Sequence, residues 1–248
     1  MTKPVILITG ALTGIGRAAA FAFAREGARL VVSGRHDVAG QALVAELGAR
    51  GAEALFVRAD VRHEDEMRRL VEAVVARFGR LDVAVNNAGT EGSPGPVTEQ
   101  TAEGYQAMFD TNVLGTLLGM KHELRAMQAQ GSGSIVNISS TMGERGAANM
   151  ALYAGSKHAV EGMTKSAALE AAAYGVRVNA VAPGPDRHRD ARSADRRSGE
   201  EGGVLRRGAA EARRHARGDR RRDRLRRIPK AAFITGQIIR VNGGKTAA

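Results

Sequence analysis

The amino-acid sequence predicts an α/β fold, a single domain built on a doubly wound parallel sheet of about seven strands. Three observations support this fold class: a length of 248 residues, a hydrophobic content of 43%, and short β-branched runs that alternate with longer helical segments. Such alternation favours parallel strands joined by right-handed crossovers, with helices on both faces. A ligand site is then expected at the carboxyl edge of the sheet, where the strand order reverses.

Seven apolar runs have the length and β-branching of buried strands. They are Val5 to Thr9, Ala28 to Ser33, Ala54 to Val57, Val83 to Asn86, Ile135 to Ser139, Val176 to Val181 and Phe233 to Val241. Segments of helical length lie between them, at about 14–26, 37–50, 63–79, 101–130 and 151–174. We find no internal repeat and no interdomain linker, and we expect one domain over residues 1–248.

Composition excludes several classes of site and location. Cysteine is absent, which excludes disulfides, thiolate metal sites and cysteine nucleophiles and favours a cytoplasmic location. The first apolar run, Val5 to Thr9, is too short for a signal-peptide core or a membrane span, so no membrane partner is expected. The six histidines show no metal-ligand spacing, and we predict no metal site.

The net charge of +11 is concentrated in one segment, Pro185 to Ile228, which holds 16 Arg against five Asp and three Glu. The rest of the chain is therefore close to neutral. This segment has only four large apolar side chains, too few to offset the entropy of ordering it. We expect it to be irregular.

A glycine-rich turn follows the first strand and opens the first helix. It reads Thr9-Gly10-Ala11-Leu12-Thr13-Gly14-Ile15-Gly16. Free backbone N–H groups at the start of a helix bind a dinucleotide pyrophosphate, and glycines let the phosphates approach the backbone. A plain glycine turn is the alternative, and the strand–turn–helix context favours the dinucleotide. We expect Gly10, Thr13, Gly14, Ile15 and Gly16 to contact it.

The form of this turn resembles that of the short-chain dehydrogenase/reductase family, and later motifs agree in order and spacing. They are Asn86-Asn87-Ala88-Gly89 at the end of the fourth strand, Asn112 in the following helix, Ser139-Ser140 at the end of the fifth strand, Tyr153-Ala154-Gly155-Ser156-Lys157 at the start of the next helix, and Pro183-Gly184 after the sixth strand. The resemblance covers about residues 1–184 and 229–248. It implies a Rossmann-like fold and hydride transfer between a nicotinamide cofactor and a secondary alcohol or ketone.

The chemistry of Tyr153 and Lys157 can also be argued from their spacing. Residues four apart on a helix share one face, so the ammonium can sit beside the phenol. Together with a positively charged nicotinamide ring, it would favour the phenolate and pull the pKa of the phenol toward the working pH. Tyr153 would then act as a general acid or base. A surface pair on an amphipathic helix is the alternative.

The resemblance implies a role for each catalytic residue. Ser140 would donate a hydrogen bond to the substrate oxygen, Tyr153 would carry the proton, and Lys157 would also hold the nicotinamide ribose. Asn112 would position a water that links Lys157 to solvent, although a mid-helix Asn can also be a kink or a backbone hydrogen-bond partner. Ser139 competes with Ser140, but strand alternation lets only one face the site, and the family spacing favours Ser140.

The resemblance also indicates which position distinguishes NADP from NAD: it lies at the end of the second strand. An acidic residue there would accept a hydrogen bond from a ribose 2′-OH and repel a 2′-phosphate. Gly34 occupies this position, Arg35 follows it, and Arg17 stands just after the glycine motif. Two guanidiniums without an opposing carboxylate favour NADP over NAD. Solvated surface arginines, or Arg stacked on adenine, are the alternatives.

The resemblance assigns further cofactor contacts and a general partner class. Asp60 and Val61 would contact the adenine, although Asp60 could equally cap the next helix. The adenosine ribose side would be lined by Asn87, Ala88 and Gly89, and the cofactor site would be completed by Pro183 and Gly184. The family further implies a homo-oligomer, a dimer or tetramer, that acts on a small-molecule carbonyl or alcohol substrate.

Residues of about 186–229 depart from the family pattern, which would continue with a nicotinamide-contacting Thr and two helices over the substrate. Arg, Gly and Ala codons arise when GC-rich DNA is read out of register, and our hypothesis is a compensated frameshift. The alternatives are a solvated insert and an Arg-rich nucleic-acid-binding arm on an inactive dinucleotide-binding protein. No aromatic residue is interleaved, so nucleic acid is not the expected partner. For the chain as written we expect dinucleotide binding with poor turnover.

Overall fold

Seven parallel strands form one sheet in the order β3-β2-β1-β4-β5-β6-β7. The computed structural model describes residues 3–184 and 233–242; the predictions for about 186–229 lie outside these residues. The strands are β1 (Val5–Ile8), β2 (Arg29–Gly34), β3 (Ala54–Arg58), β4 (Val83–Asn86), β5 (Gly133–Ile138), β6 (Val176–Pro183) and β7 (Ile238–Val241). This sheet confirms the predicted doubly wound α/β fold, and β1, which pairs with both β2 and β4, marks the reversal of strand order.

Helices cover both faces of this sheet. They are α1 (Gly14–Arg25), α2 (Asp37–Gly48), α3 (Glu64–Phe78), α4 (Ala102–Phe109), α5 (Gly115–Gln130) and α6 (Ala151–Ala171). Short 3₁₀ turns lie at Val97–Glu99, Thr141–Gly143 and Ala172–Tyr174. No helix within the two described ranges is long and apolar enough to cross a membrane.

Alternate residues of each strand build two cores, one on each side of the sheet. Val5 and Leu7 of β1 face the core beneath α3, α5 and α6, whereas Ile6 and Ile8 face the core beneath α1 and α2. All four are almost fully buried. Strands buried on both faces read as continuous apolar runs, which is why the sequence identified them without a polar alternation.

Three predicted element boundaries differ from those of the structure. The predicted helix over 101–130 is interrupted by a π-helical turn, Asp110–Leu114, where the Asn112 side chain reaches out to bond the backbone of Thr90. β7 begins at Ile238 rather than Phe233, because Gly236 adopts φ +71° and starts a turn. β5 covers Gly133–Ile138 and ends before Ser139.

A buried polar network ties the middle strands to α5 and α6. The Asn86 Nδ2 donates to Glu123 Oε2 at 2.9 Å and to Asn137 Oδ1 at 3.0 Å, and Asn137 Nδ2 donates to Thr164 Oγ1 at 2.9 Å. Burial raises the pKa of the Glu123 carboxyl to about 7, against the opposing effect of the Asn86 hydrogen bond. The network holds Asn86, and with it the start of the loop after β4.

Candidate active site

The glycine turn after β1 is locked against the end of β4. The Asn87 side chain donates to the carbonyls of Thr9 and Gly10 at 3.0 and 2.9 Å, while the Thr9 hydroxyl accepts from the backbone of Asn87 and Ala88. A Cβ at Gly16 would lie 2.4 Å from Asn87 Nδ2, so this close approach excludes any side chain there. Asn87 therefore fixes the conformation of the turn, and its contact with the adenosine ribose stays a prediction.

The start of α1 is available to an anion. Thr13 precedes the helix in an extended conformation and makes no side-chain capping hydrogen bond, and the first turn carries no acidic residue. Thr13 and Gly14 are exposed, whereas Gly16 is buried. Uncapped N–H groups and the positive end of the helix dipole fit a pyrophosphate, which is the group that the glycine motif predicts.

Gly10→Ala should weaken both folding and dinucleotide binding. Gly10 adopts φ +61°, and a Cβ there would lie 2.7 Å from the Ala88 Cα, a backbone atom that cannot move aside. The left-handed conformation alone costs about 1–2 kcal/mol, and the collision adds to it. Gly27→Ala is the matched control, because Gly27 has φ +77° with no atom within 4 Å. Urea unfolding should show the larger loss for Gly10→Ala, and fluorescence titration with NADPH should show weaker binding only for that variant; equal effects would contradict it.

Ser140 and Tyr153 meet at the carboxyl edge of the sheet. Ser140 is the second residue after β5 and immediately precedes the turn Thr141–Gly143, where its Oγ accepts a hydrogen bond from Met142 N at 3.2 Å. The Ser140 side chain also lies close enough to the phenol of Tyr153 to oppose the rise in its pKa, and Tyr153 is half-buried in the first turn of α6. The two hydroxyls predicted to contact the substrate oxygen are thus brought together.

Lys157 lies one turn further along α6 and is buried. Its Nζ donates to Ile138 O at 2.9 Å and lies 5.6 Å from the centroid of the Tyr153 ring. Burial lowers the pKa of this ammonium from 10.5 to about 8, and the Glu91 carboxylate opposes that shift. Lys157 is therefore charged below about pH 8 and loses its charge as the pH rises through that value.

The predicted lowering of the Tyr153 pKa by Lys157 together with a bound nicotinamide stays a prediction. In the protein alone, burial raises the pKa of the phenol above its ordinary value, and the nearby Ser140 side chain opposes this only in part. The hydrogen bond that the Lys157 ammonium donates goes to the Ile138 carbonyl, not to the phenol. Any lowering toward neutral pH therefore needs the second charge that the prediction invoked, a positive nicotinamide ring.

Asn112 clamps the loop after β4 to α6. Its Oδ1 accepts from Thr90 N at 2.8 Å, and its Nδ2 donates to Thr90 O at 2.9 Å and to Ser156 Oγ at 3.0 Å. These contacts give it the backbone-partner role that the sequence left as the alternative. The water-positioning role remains a prediction.

Glu161 is a residue that sequence reasoning missed. It is buried, and its Oε1 accepts from Ser139 Oγ at 2.8 Å, so the Ser139 hydroxyl is turned away from Tyr153. Arg240 of β7 approaches Glu161 and hydrogen-bonds Glu144. The signal was available, because Glu161 lies one helical turn after Lys157.

The predicted adenine contacts lie after β3, but Asp60 is already paired. Its carboxylate accepts from the Arg62 side chain at 2.6–3.1 Å and from Arg62 N at 3.1 Å, and these bonds lower its pKa to about 2. It caps no helix, since α3 begins after His63. Val61 packs its side chain against Gly115.

Of the two arginines predicted to bind the 2′-phosphate of NADP, Arg17 is bound to another residue and Arg35 is exposed. Arg17 makes two hydrogen bonds to Glu46, at 2.7 and 2.6 Å, which ties α1 to α2. Arg35 is exposed directly after β2 and contributes to the low pKa of Asp60. A Cβ at Gly34 would lie 2.7 Å from Leu12 Cδ1, so any side chain at this position would have to displace the Leu12 side chain.

Pro183 and Gly184 lie at the side of the site that is next to β7. Pro183 is the last residue of β6, and Gly184 N donates to Val241 O at 2.9 Å. Gly89 lies opposite, where a Cβ would be 3.7 Å from Lys157 Nζ. The glycine turn, the loop after β4, the Ser140–Tyr153–Lys157 group and the end of β6 all occupy the carboxyl edge of the sheet.

Comparisons with known proteins agree with this arrangement. A family model described as short chain dehydrogenase matches residues 4–195. Levodione reductase from Leifsonia aquatica is 43% identical over 186 residues, which cover 74% of this chain and 69% of that protein. A-factor type γ-butyrolactone 1′-reductase (1S-forming) from Streptomyces virginiae is 46% identical over 188 residues, covering 75% and 73%.

Solved structures match over nearly the whole length. A variant of actinorhodin polyketide ketoreductase with NADPH superimposes with a TM-score of 0.81 at 32% identity, covering 98% of this chain and 97% of the other. The crystal structure of levodione reductase also gives 0.81 at 32% identity, with coverage of 100% and 99%.

Proposed function

The chain belongs to the short-chain dehydrogenase family of NAD(P)-dependent oxidoreductases, and from that premise we propose that Tyr153 is the acid and base for interconversion of a ketone and a secondary alcohol. The observation that carries the proposal is the position of the buried Lys157 ammonium, whose Nζ lies 5.6 Å from the centroid of the Tyr153 ring, with Ser140 near the phenol. These groups stand at the sheet edge where an uncapped helix start fits the cofactor pyrophosphate.

The chain's own residues account for the proton and the developing charge. When bound, a reduced nicotinamide supplies hydride to the carbonyl carbon. Ser140 hydrogen-bonds the substrate oxygen, and Tyr153 gives its phenolic proton to that oxygen as negative charge develops. The phenolate that remains is stabilised by the Lys157 ammonium and is reprotonated from solvent. Oxidation of the alcohol runs through the same groups in reverse.

We propose NADP rather than NAD as the preferred cofactor. The support is the absence of a carboxylate at Gly34, the exposed guanidinium of Arg35 and the similarity to a ketoreductase structure with NADPH. Arg17 contributes less, because Glu46 already occupies its guanidinium.

Arg35→Gln should raise the dissociation constant of NADPH by about 10- to 100-fold and leave that of NADH within about twofold, because a charge-assisted contact to phosphate is worth roughly 1.5–3 kcal/mol. Fluorescence titration of both cofactors measures this, and NADH is the internal control. Arg25→Gln at the end of α1 should change neither value. Equal losses for both cofactors would contradict a 2′-phosphate contact.

We further propose a cytoplasmic homo-oligomer, either a dimer or a tetramer. The absence of cysteine suits a reducing compartment. Three large apolar side chains on the α4–α5 side are more than a third exposed, namely Tyr105, Leu114 and Leu117. Such a patch is typical of an interface. Light scattering of the purified chain should report a mass of two or four subunits, and a monomer would contradict it.

A further inference from the structure

The segment that leads into Ser140 is held by two buried side chains of α6. Lys157 Nζ donates to Ile138 O at 2.9 Å. Glu161 Oε1 accepts from Ser139 Oγ at 2.8 Å. Because the two helix residues lie four apart, they share one face of α6. Both residues that precede Ser140 are therefore fixed to this face.

The turn that follows Ser140 packs against the same carboxylate. A Cβ at Gly143 would lie 2.6 Å from Ser139 Oγ and closer still to Glu161 Oε1, so the backbone of the turn packs directly against this hydrogen-bonded pair. Gly143 N donates to Ser140 O at 2.9 Å. Glu161 therefore lies against the chain both before and after Ser140.

Arg240 of β7 connects this carboxylate to the residue that follows the turn. It lies opposite Ala182 of β6 in the sheet register. Its Nε donates to Glu144 Oε2, and its Nη2 lies 3.9 Å from Glu161 Oε2. A buried carboxylate is costly without a nearby positive charge, and Arg240 supplies that charge. The turn is thereby attached to one charged pair at Ser139 and at Glu144.

We propose that Glu161 and Arg240 are positioning residues that hold the Ser140 hydroxyl where the substrate oxygen develops negative charge. The inference rests on the proposed function. A hydrogen bond of this kind accelerates the reaction most when its donor is already in place as the charge forms. Loss of the contact with Glu161 would release the turn, and a displacement of about 1 Å can cost on the order of 10²-fold in rate. The loss should appear in kcat, because binding of the uncharged ground state depends less on this donor.

Glu161→Leu and Glu161→Gln test this role. Leu fills a similar volume but accepts no hydrogen bond, so it should lower kcat for the reduction of cyclohexanone with NADPH by about 10- to 100-fold, while KM for the ketone changes by less than about threefold. Gln keeps an acceptor for Ser139, so its kcat should stay within about fivefold of the wild type. Glu170→Leu removes an exposed carboxylate from the same helix and should match the wild type.

The decisive comparison repeats these changes in a Ser140→Ala background. A positioning residue acts through Ser140, so Glu161→Leu and Arg240→Met should each lower kcat when Ser140 is present and change it by less than about twofold when Ser140 is absent. Equal losses in both backgrounds would contradict the inference. If Glu161→Leu does not fold, Ser139→Ala removes only the donor oxygen and should show the same dependence on Ser140.

Tyrosinate titration of Tyr153 gives the same comparison where ketone reduction is too slow to measure. The Ser140 side chain opposes the rise in the pKa of the buried phenol, so Ser140→Ala should raise this pKa, and Glu161→Leu should raise it only when Ser140 is present. An effect of Ser140→Ala on the rate or on the pKa, with none of Glu161→Leu, would contradict the inference alone. No effect of Ser140→Ala on either quantity would contradict the proposed function.

Discussion

Lys157→Met is expected to lower kcat/KM for ketone reduction by about 10²–10³-fold, because it removes the positive charge that stabilises the Tyr153 phenolate. It should also weaken NADPH binding, since the lysine is proposed to hold the nicotinamide ribose. Met fills a similar volume and removes a buried charge whose desolvation opposes folding, so the variant should remain folded. Steady-state NADPH oxidation and thermal melting measure the two effects separately.

The matched control for this variant is Lys165→Met, an exposed lysine on the same helix, which should keep wild-type kinetics. The pH dependence gives a further check. The pKa of Lys157 is lowered to about 8, so its charge is present below that pH and is lost as the pH rises through it. Wild-type kcat/KM should therefore fall above about pH 8, and Lys157→Met should lack this step. A variant that keeps both the rate and the step would show that the ammonium has no part in proton transfer.

Tyr153→Phe is expected to reduce hydride transfer by about 10²–10⁴-fold, the usual contribution of a positioned general acid. Phe keeps the ring and removes only the oxygen, so the dissociation constant of NADPH should change by less than about twofold. Stopped-flow measurement of NADPH oxidation gives the first quantity, and fluorescence titration gives the second.

Tyr174→Phe controls for removal of a phenol elsewhere, because Tyr174 is half-exposed in the turn after α6. It should match the wild type in both measurements. If Tyr153→Phe retained a rate within a few-fold of the wild type, another group would have to carry the proton.

The sequence predicted the sheet well because its evidence was local. Continuous β-branched runs such as Val83–Asn86 predict buried parallel strands, and helical segments between them leave few topologies. The break at Asn112 could not be predicted this way, since it depends on Thr90, 22 residues away in the chain. The sequence also predicted the glycine turn. The hydrogen bond by which Asn87 fixes this turn could not be predicted, because Asn87 is distant from Gly10 in the chain.

Electrostatics at the site were the least predictable part. The spacing of the two residues places Lys157 beside Tyr153. The direction in which each pKa shifts depends on burial, which a short motif does not reveal. Arg17 was expected near a phosphate, and only the packing of α1 on α2 reveals Glu46 as its partner.

The frameshift hypothesis for about residues 186–229 stays a prediction. The match to the family model ends at residue 195. The two relatives described above align with the chain over only 186 and 188 residues. The intact mass of the protein, compared with its encoding DNA, shows whether this segment exists as written. Translation of that DNA in the other two frames should reveal an apolar, helix-patterned peptide; featureless products in both frames would contradict the hypothesis.

The central claim is that Lys157 and a bound nicotinamide together make Tyr153 the proton carrier. The most direct measurement is the ultraviolet titration of tyrosinate, taken as the difference between wild type and Tyr153→Phe, with and without NADP⁺. The account predicts that the pKa of Tyr153 lies above its ordinary value in the protein alone, because the phenol is buried, and that it falls when the oxidised cofactor binds. An unchanged pKa in the presence of saturating NADP⁺ would contradict it.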